Sequence, residues 1–519
     1  MLMRVSNFSK TDTVLDVPAH LTPGNILTAA RNVTLTDGVI AARHGIAELY
    51  GAPAVLPYAI AGGTVANVAY WLYAGLKKIY KIEASGADVN VTRQTASADV
   101  DYAATETTPW TTSVFNSVAL LNNTVDVPQM FYNLSGKCEN LANWPATLRC
   151  QSLRPFKNFL VALNVTESDT NYPQVLRWSH RADPGAVPSS WDYTDPTKDA
   201  GRVPLAETSG ILLDGLASKD AMILYKDDST YLMQFTGGVN IFSIRPISFE
   251  SGILATNCVS NFSGGQVALT GNDVVLATAQ GVQSIAKSRI RAHLFNALNA
   301  SAKHSAFVFT DRVHSEVWVC VPTVSSYADA AYVWNWLENK WSIRELPALR
   351  AVASGYPLSI GATWDADTGT WDADTSTWGA FDLSGQDLLG VSPNGSGKIV
   401  SINSGTENIS VPFIVSAQHE ALDIVGDNVP PERLKLVPKV RPHFTPESVG
   451  AEVTMQIGMQ MTLHDAISWT APVTFTIGSR RDLFVRKQGR YMSWKITSST
   501  PIRWGLSGFD VFFELGGDA

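Results

Sequence analysis

The 519-residue chain has only four cysteines, Cys138, Cys150, Cys258 and Cys320, and no two stand at a C-x-x-C spacing. That excludes a secreted disulfide scaffold and argues against local zinc or dithiol chemistry, so all four are expected to be free thiols. Charge is also scarce. Charged residues make up 17% of the chain and hydrophobic ones 45%, which excludes a disordered or supercharged protein. Bases are outnumbered, 39 Lys and Arg against 47 Asp and Glu, for a net charge of -8. A protein that coats duplex DNA through a generally basic surface is thereby disfavoured. The start, Met1 to Lys10, lacks the apolar core and small-residue cleavage site of a secretory signal, so synthesis in a cytoplasm is expected. One uncharged stretch, Leu49 to Leu76, is long enough to span a bilayer. Pro53, Pro57, Gly62, Gly63 and Asn67 would break a spanning helix there, whereas Val65, Val68, Tyr70, Leu72 and Tyr73 suit paired strands.

The chain is rich instead in turn formers and aromatics, with 38 Gly, 26 Pro and 15 Trp. Near the C-terminus Ala451, Val453, Met455, Ile457, Met459, Met461 and Leu463 alternate with Glu452, Thr454, Gln456, Gly458, Gln460 and Thr462. Period two of this kind is a long strand with one buried face. The pattern returns at Trp469 to Ile477, at Met492, Trp494 and Ile496, and at Phe509, Val511, Phe513 and Leu515, which predicts an antiparallel sandwich or barrel. The middle of the chain shows short strand pairs: Val267 to Leu269 with Val274 to Leu276, Ala306 to Phe309 with Val317 to Val321, and Ala331 to Trp336 with Trp341 to Ile343. Serial hairpins with hardly any helical periodicity predict a β-propeller, with one helix around Arg289 to Ala302. The fold class is therefore all-β: a propeller of serial hairpins over 51–400, and a C-terminal antiparallel domain over 401–519. Residues 1–50 form an N-terminal strand segment that is a candidate to pack with the C-terminal domain.

Charge is unevenly placed. From Arg433 to Arg503 there are 11 bases against 4 acids, leaving 28 bases against 43 acids elsewhere. Between Ala351 and Gly397 there are six Asp and no base, in a setting that reads as an exposed insertion around 361–382. Its repeat places Trp364, Trp371 and Trp378 seven residues apart. Asp365, Asp367 and Gly369 resemble the first half of a calcium loop, but the third acid is absent and no Glu stands at the twelfth position. The same residues resemble a sialidase-type Asp-box with the wrong spacing, and a seven-residue period is not that of WD repeats. The preferred reading is a turn-rich loop whose Trp side chains pack together and whose Asp side chains face water or a channel.

No catalytic motif stands out. H-E-x-x-H, G-x-S-x-G and the phosphate-loop pattern are all missing, no cofactor fingerprint is found, and no two of the nine His form a local ligand pair. His314 with Glu316 and His419 with Asp423 have ligand-like spacings, yet each reads better as a hydrogen-bonded His. The basic cluster Arg480, Arg481, Arg486, Lys487 and Arg490 has aromatic neighbours Phe484, Tyr491 and Trp494. It reads as a subunit-contacting edge ahead of a nucleic-acid face.

A series of segments resembles one family, the β-propeller tail nozzle proteins of short-tailed bacteriophages, also described as tail tubular or packaged-DNA stabilisation proteins. The segments are Ala30 to Ile46 with its Arg43-His44-Gly45, Leu153 to Ala162, Val175 to Ser179 followed by Pro188 to Asp192, Ala221 to Tyr231, Phe249 to Gly252, Glu316 to Pro322, and Gly489 to Ile496 with Thr500 to Ile502. The resemblance implies a non-enzymatic virion protein, located in the tail as a ring of usually six copies that closes the channel on packaged DNA and conducts the genome at ejection. Implied partners are the adaptor ring beneath the portal, tail fibres or spikes, and DNA that passes without sequence-specific contact or membrane insertion. On that reading Asp365, Asp367, Asp372, Asp374 and Asp382 are candidate channel-lining or gate residues. The basic cluster is then a candidate docking interface. The alternative is a propeller-fold glycan-binding protein or polysaccharide depolymerase of the tail, whose pocket would carry aromatics and paired carboxylates.

Overall fold

The computed structural model describes residues 1–5, 11–238, 240–358, 387–424, 433–479, 482–499 and 503–516. Two-residue turns organise its central region. Ala66 and Asn67, Asn116 and Ser117, and Ser168 and Asp169 all have positive φ, between 47° and 69°. Such turns carry the twist that joins two antiparallel strands closely. Ala66-Asn67 and Asn116-Ser117 join the first and second strands of two four-stranded meanders, Ala59–Val65 with Val68–Ala74 and Thr111–Phe115 with Val118–Asn122. Ser168-Asp169 joins the second and third strands, Phe159–Glu167 and Thr170–Trp178, of a meander that begins at Leu148–Phe156. Four further meanders begin at Leu212–Ser218, Val259–Phe262, Phe307–Asp311 and Ala351–Gly355.

The described residues thus contain seven four-stranded sheets, and the first strand of each packs against the first strand of the next. The last, Ala351–Gly355, returns to the first, Ala59–Val65, so the sheets are the blades of a closed propeller. At that seam a Cβ on Gly62 would lie 2.9 Å from the Cα of Gly355, and the Trp71 indole fills the remaining space, donating to the Tyr356 carbonyl at 2.9 Å. The seventh blade is completed by a distant strand. Ile46–Glu48 pairs with Lys398–Ile402, which covers an edge that would otherwise be open.

Blades are covered on both faces, and several of their second strands are correspondingly rich in buried apolar residues. All of Glu316–Val321 is buried, including Val317, Trp318, Val319, Cys320 and Val321. The three hairpins read from the sequence are present, with Leu269 opposite Val274, Phe309 opposite Trp318 and Trp334 opposite Trp341. The helical segment is an α-helix, Arg291–Ala297, followed by a 3-10 turn, Ala300–Ser305. All four cysteines are buried free thiols. Among the described residues no helix is long and apolar enough to cross a membrane.

A two-sheet sandwich accounts for the long alternating strands. One sheet orders Val33–Thr36, Val39–Ala42, Gly505–Leu515, Lys435–Phe444 and Leu483–Gly489, with Leu2–Val5 also paired to Gly505–Leu515. The other orders Ala29–Arg31, Val415–Asp423, Tyr491–Ser498, Glu452–Gln460 and Ser468–Trp469, with Val473–Thr476 beside Glu452–Gln460. Both ends of the chain therefore contribute to one core, where Val33, Leu35 and Ile40 meet Val453, Met455, Ile457, Trp494, Phe509 and Val511. The expected alternation stops two apolar positions early, before Met461 and Leu463. Met461 is 46% exposed, because the chain turns after Gln460, where Asp465 accepts from the Thr462 N–H at 2.7 Å.

Candidate functional site

The inner strands surround a cavity of about 370 Å³ on the propeller axis. Its wall combines small and hydroxyl residues, among them Ala61, Ser113, Ser260, Thr310 and Ser354, with three cations, Arg154, Arg312 and Arg350. No Asp, Glu or His is among the described residues that line it. The wall is cationic although the chain as a whole is acidic.

Arg154 is the best-anchored of the three. Its Nε and Nη2 donate to the two carboxylate oxygens of Asp214 at 2.7 and 2.8 Å, its Nη1 to the Thr112 carbonyl at 2.9 Å, and its Nη2 also to Asn257 at 2.9 Å. Asp214 accepts in addition from the backbone N–H of Gly215 and of Asn257. The inner strands of the second, third and fourth blades and the entry to the fifth are tied by this one guanidinium. Burial opposes its charge, but the Asp214 carboxylate outweighs burial and raises the Arg154 pKa above its ordinary value.

A second charged cluster lies where the sandwich meets the propeller. Arg43 follows the sandwich strand Val39–Ala42 and forms a bidentate pair with Glu316 of the sixth blade, at 2.7 and 2.9 Å. Both side chains are 5% exposed. The Trp318 ring takes Arg43 at 5.3 Å and Arg344 at 4.8 Å from its centroid, and its Nε1–H donates to Glu316 at 3.1 Å. Arg344 also donates to Asn403 and to the Gly45 carbonyl. At Gly45 a Cβ would fall 2.2 Å from the Glu407 carbonyl oxygen, so only glycine fits there. Two segments that carry the sequence resemblance, Arg43-His44-Gly45 and Glu316 to Pro322, thus meet across 273 residues.

His314 belongs to the same cluster. Its Nδ1 lies 2.7 Å from Asp311 Oδ2, whose oxygen also accepts from Asn403 at 2.6 Å. The hydrogen bond to Asp311 is the main cause that raises the His314 pKa above 6.5, against partial burial. A histidine raised in the folded state stabilises fully below its unfolded pKa and loses that contribution as pH climbs through the folded value. The melting-temperature difference between wild type and His314→Asn is therefore expected to be largest near pH 5.5 and to shrink steadily above pH 6.5. Paired melts across pH 5–9 check this, and a difference that grows with pH contradicts it.

The other residues singled out in the sequence are dispersed. Asp365, Asp367, Asp372, Asp374 and Asp382, with the calcium-loop and Asp-box readings of that repeat, lie outside the described residues, as do Arg480 and Arg481. Arg486 and Lys487 lie on the sandwich strand Leu483–Gly489, and Arg490 follows in the turn to Tyr491–Ser498. Lys487 Nζ donates to Ser468 Oγ at 2.7 Å and to the Ser468 and Trp469 carbonyls, which binds one sheet to the other. Arg486 is exposed, with φ of 51°, at a bulge where Phe484 and Lys487 oppose Lys439 and Val437. Phe484 beside it is 72% exposed. His419 donates its Nδ1–H to the Ile26 carbonyl, 2.6 Å away, rather than meeting Asp423, which pairs with Lys435. Among the described residues no group of three His, Cys, Asp or Glu converges to hold a metal ion.

Sequence reasoning did not single out the channel residues Arg154, Arg312, Arg350 and Trp110. Arg154 does fall in a segment that carries the resemblance, but nothing local distinguishes it from a surface arginine.

No protein-family model matches the chain, and no curated protein matches it. Among solved structures it is similar to the crystal structure of Ika8, a computationally designed protein, at 8% identity and a TM-score of 0.36, covering 75% of this chain and 100% of that one. So distant a likeness has no bearing on function.

Proposed function

We propose that this protein is a structural, non-enzymatic ring component, the distal nozzle of a short-tailed phage tail, which closes on packaged DNA and conducts it during ejection. The observation that carries the proposal is the Leu483–Gly489 strand. Among the described residues it pairs on one side only, with Lys435–Phe444, and it presents Phe484 and Arg486 outward. The bulge at Arg486 discourages indiscriminate strand addition, while an exposed aromatic among cations suits a specific acidic partner surface. The remainder of the chain holds 43 acids against 28 bases, so a second copy supplies such a surface. A basic edge against a different, acidic face is a heterologous contact, the kind that generates rings.

The genome would then pass between copies, not along the propeller axis. A cavity of about 370 Å³ is far too small for a duplex whose major groove alone is about 12 Å wide. Its cationic wall would grip phosphates, where a conduit should let them slide. The depolymerase alternative needs two carboxylates flanking a sugar, and the described channel wall offers none.

Negative-stain imaging and native mass spectrometry of the purified protein and of particles test the proposal. A closed ring, six-fold on the family resemblance, is expected, and Phe484→Glu with Arg486→Glu should release monomers that still unfold cooperatively. A chain that stays monomeric both free and in particles, touching no tail component, overturns the reading.

A further inference from the structure

Arg350 links the outer strand of the sixth blade, Lys340–Leu349, to the inner strand of the seventh, Ala351–Gly355. Its backbone N–H is held by the Val391 carbonyl at 2.8 Å, so the root of the side chain is fixed. It is 5% exposed and lines the central channel. Unlike Arg43, Arg154 and Arg344, its guanidinium has no carboxylate, carbonyl or ring partner among the described residues, and its Nε is a buried donor without an acceptor. A buried cation in that condition is costly and calls for a counter-charge.

Trp110 repeats the deficit on the same wall. It precedes the inner strand Thr111–Phe115 as Arg350 precedes Ala351–Gly355, and its Nε1–H is likewise buried without an acceptor. Tyr58, Asn257 and His304 also stand just before inner strands, and Asn257 donates to the Trp110 carbonyl at 2.9 Å. The acid at this rim is the exposed Glu106, which accepts from Tyr58 at 3.4 Å. His304 is held below its ordinary value by burial and by the Arg350 charge, which favours the neutral ring.

We propose that Arg350 and the Trp110 indole N–H form a binding site for one small oxyanion, of the phosphate, sulfate or carboxylate class, inside the propeller channel. The guanidinium fork matches two oxygens of such an anion, and the indole supplies a third, neutral donor. The described wall carries no carboxylate to repel it, and a cavity of about 370 Å³ holds the anion with water around it. Burial lowers the Arg350 pKa, and the neighbouring Tyr327, Cys258 and Tyr58 offset that effect only in part. The site does not depend on ring formation, since every residue in it belongs to one propeller.

Thermal melts of the full chain in phosphate, sulfate and acetate, each matched by chloride at equal ionic strength, test the assignment. At least one oxyanion should raise the melting temperature saturably where chloride does not. Preference for phosphate and sulfate assigns a tetrahedral ligand, and equal or better response to acetate assigns a carboxylate. Arg350→Met should fold as well as wild type or better without the anion, and should weaken apparent affinity by about tenfold or more. Trp110→Phe should weaken it less, and carries the test with Arg350→Lys if Arg350→Met does not fold. No oxyanion response beyond chloride, or the same response in wild type and in the folded variants, marks general salt stabilisation or an adventitious ion only and overturns the site.

Discussion

A chain lacking residues 1–49 is expected to lose cooperative folding, although every inner strand of the propeller would remain. The deletion removes Ile46–Glu48 and exposes the edge of Lys398–Ile402 in the seventh blade. It also takes Leu2–Val5, Ala29–Arg31, Val33–Thr36 and Val39–Ala42 from the sandwich. With them go Val33, Leu35 and Ile40, each fully or almost fully buried and worth about 1.5–3 kcal/mol. Loss of Arg43 leaves Glu316 buried without its partner, at a further cost of about 3–5 kcal/mol. Domain stabilities are about 5–15 kcal/mol, so the combined loss exceeds what the fold can absorb. Circular dichroism and gel filtration should show an aggregating chain with no sharp melt, and co-expression of residues 1–49 should restore one. A wild-type transition in the truncated chain would show that the N-terminal strands are dispensable.

Glu316→Gln is expected to be the most damaging single change at the junction, destabilising by about 3–5 kcal/mol. The carboxylate neutralises Arg43 directly and lies against Trp318, whose ring also receives Arg344. Arg344 is fully buried and held well below its ordinary pKa, by burial first and by the charge of Arg43 second, while Glu316 opposes both. Without Glu316 two buried cations face each other across one indole. Solvent screening offers little relief, because Arg43 and Glu316 are both 5% exposed. Denaturant unfolding should show the loss at unchanged slope, and adding Arg43→Met should recover much of it, since apolar replacements remove the unpaired charge. A loss below about 1 kcal/mol would place the pair in the class of weak surface bridges.

The contrast between these sites and Arg350 is informative. Deleting one partner of Arg43–Glu316 strands a charge, whereas replacing Arg350 removes a charge that already lacks a partner. The two arginines look alike in sequence, as members of Ala-Arg-His and Leu-Arg-Ala. Only the fold tells them apart.

Much of the architecture was legible because burial imposes a local period. The strand Glu452–Gln460 alternates because one face meets the opposing sheet while the other is exposed at Glu452 and half-buried at Thr454 and Gln456, and its core-facing set, Val453, Met455, Ile457 and Met459, is legible in that rhythm. The propeller strands lack the rhythm because neighbouring blades cover both faces, so Val317 to Val321 read as a continuous apolar run. Their hairpins were still readable from turns such as Gly271-Asn272 between Leu269 and Val274. The candidate site was not. Trp110, Arg154, Asp214 and Arg350 sit on different blades, and no local period records which inner strands face one axis.

What the sequence determined by itself was therefore local in origin: an all-β chain, its sandwich strands, its serial hairpins, and a basic C-terminal part on an otherwise acidic molecule. Tertiary structure alone decided the number of blades, the closure of the seventh by Ile46–Glu48, the meeting of Arg43 with Glu316, and the cationic channel. The physical reason is the range over which each quantity is set. Periodicity and turn conformation depend on a few neighbouring residues, whereas ring closure and charge pairing depend on how many blades fill the circle and which distant strands it brings together.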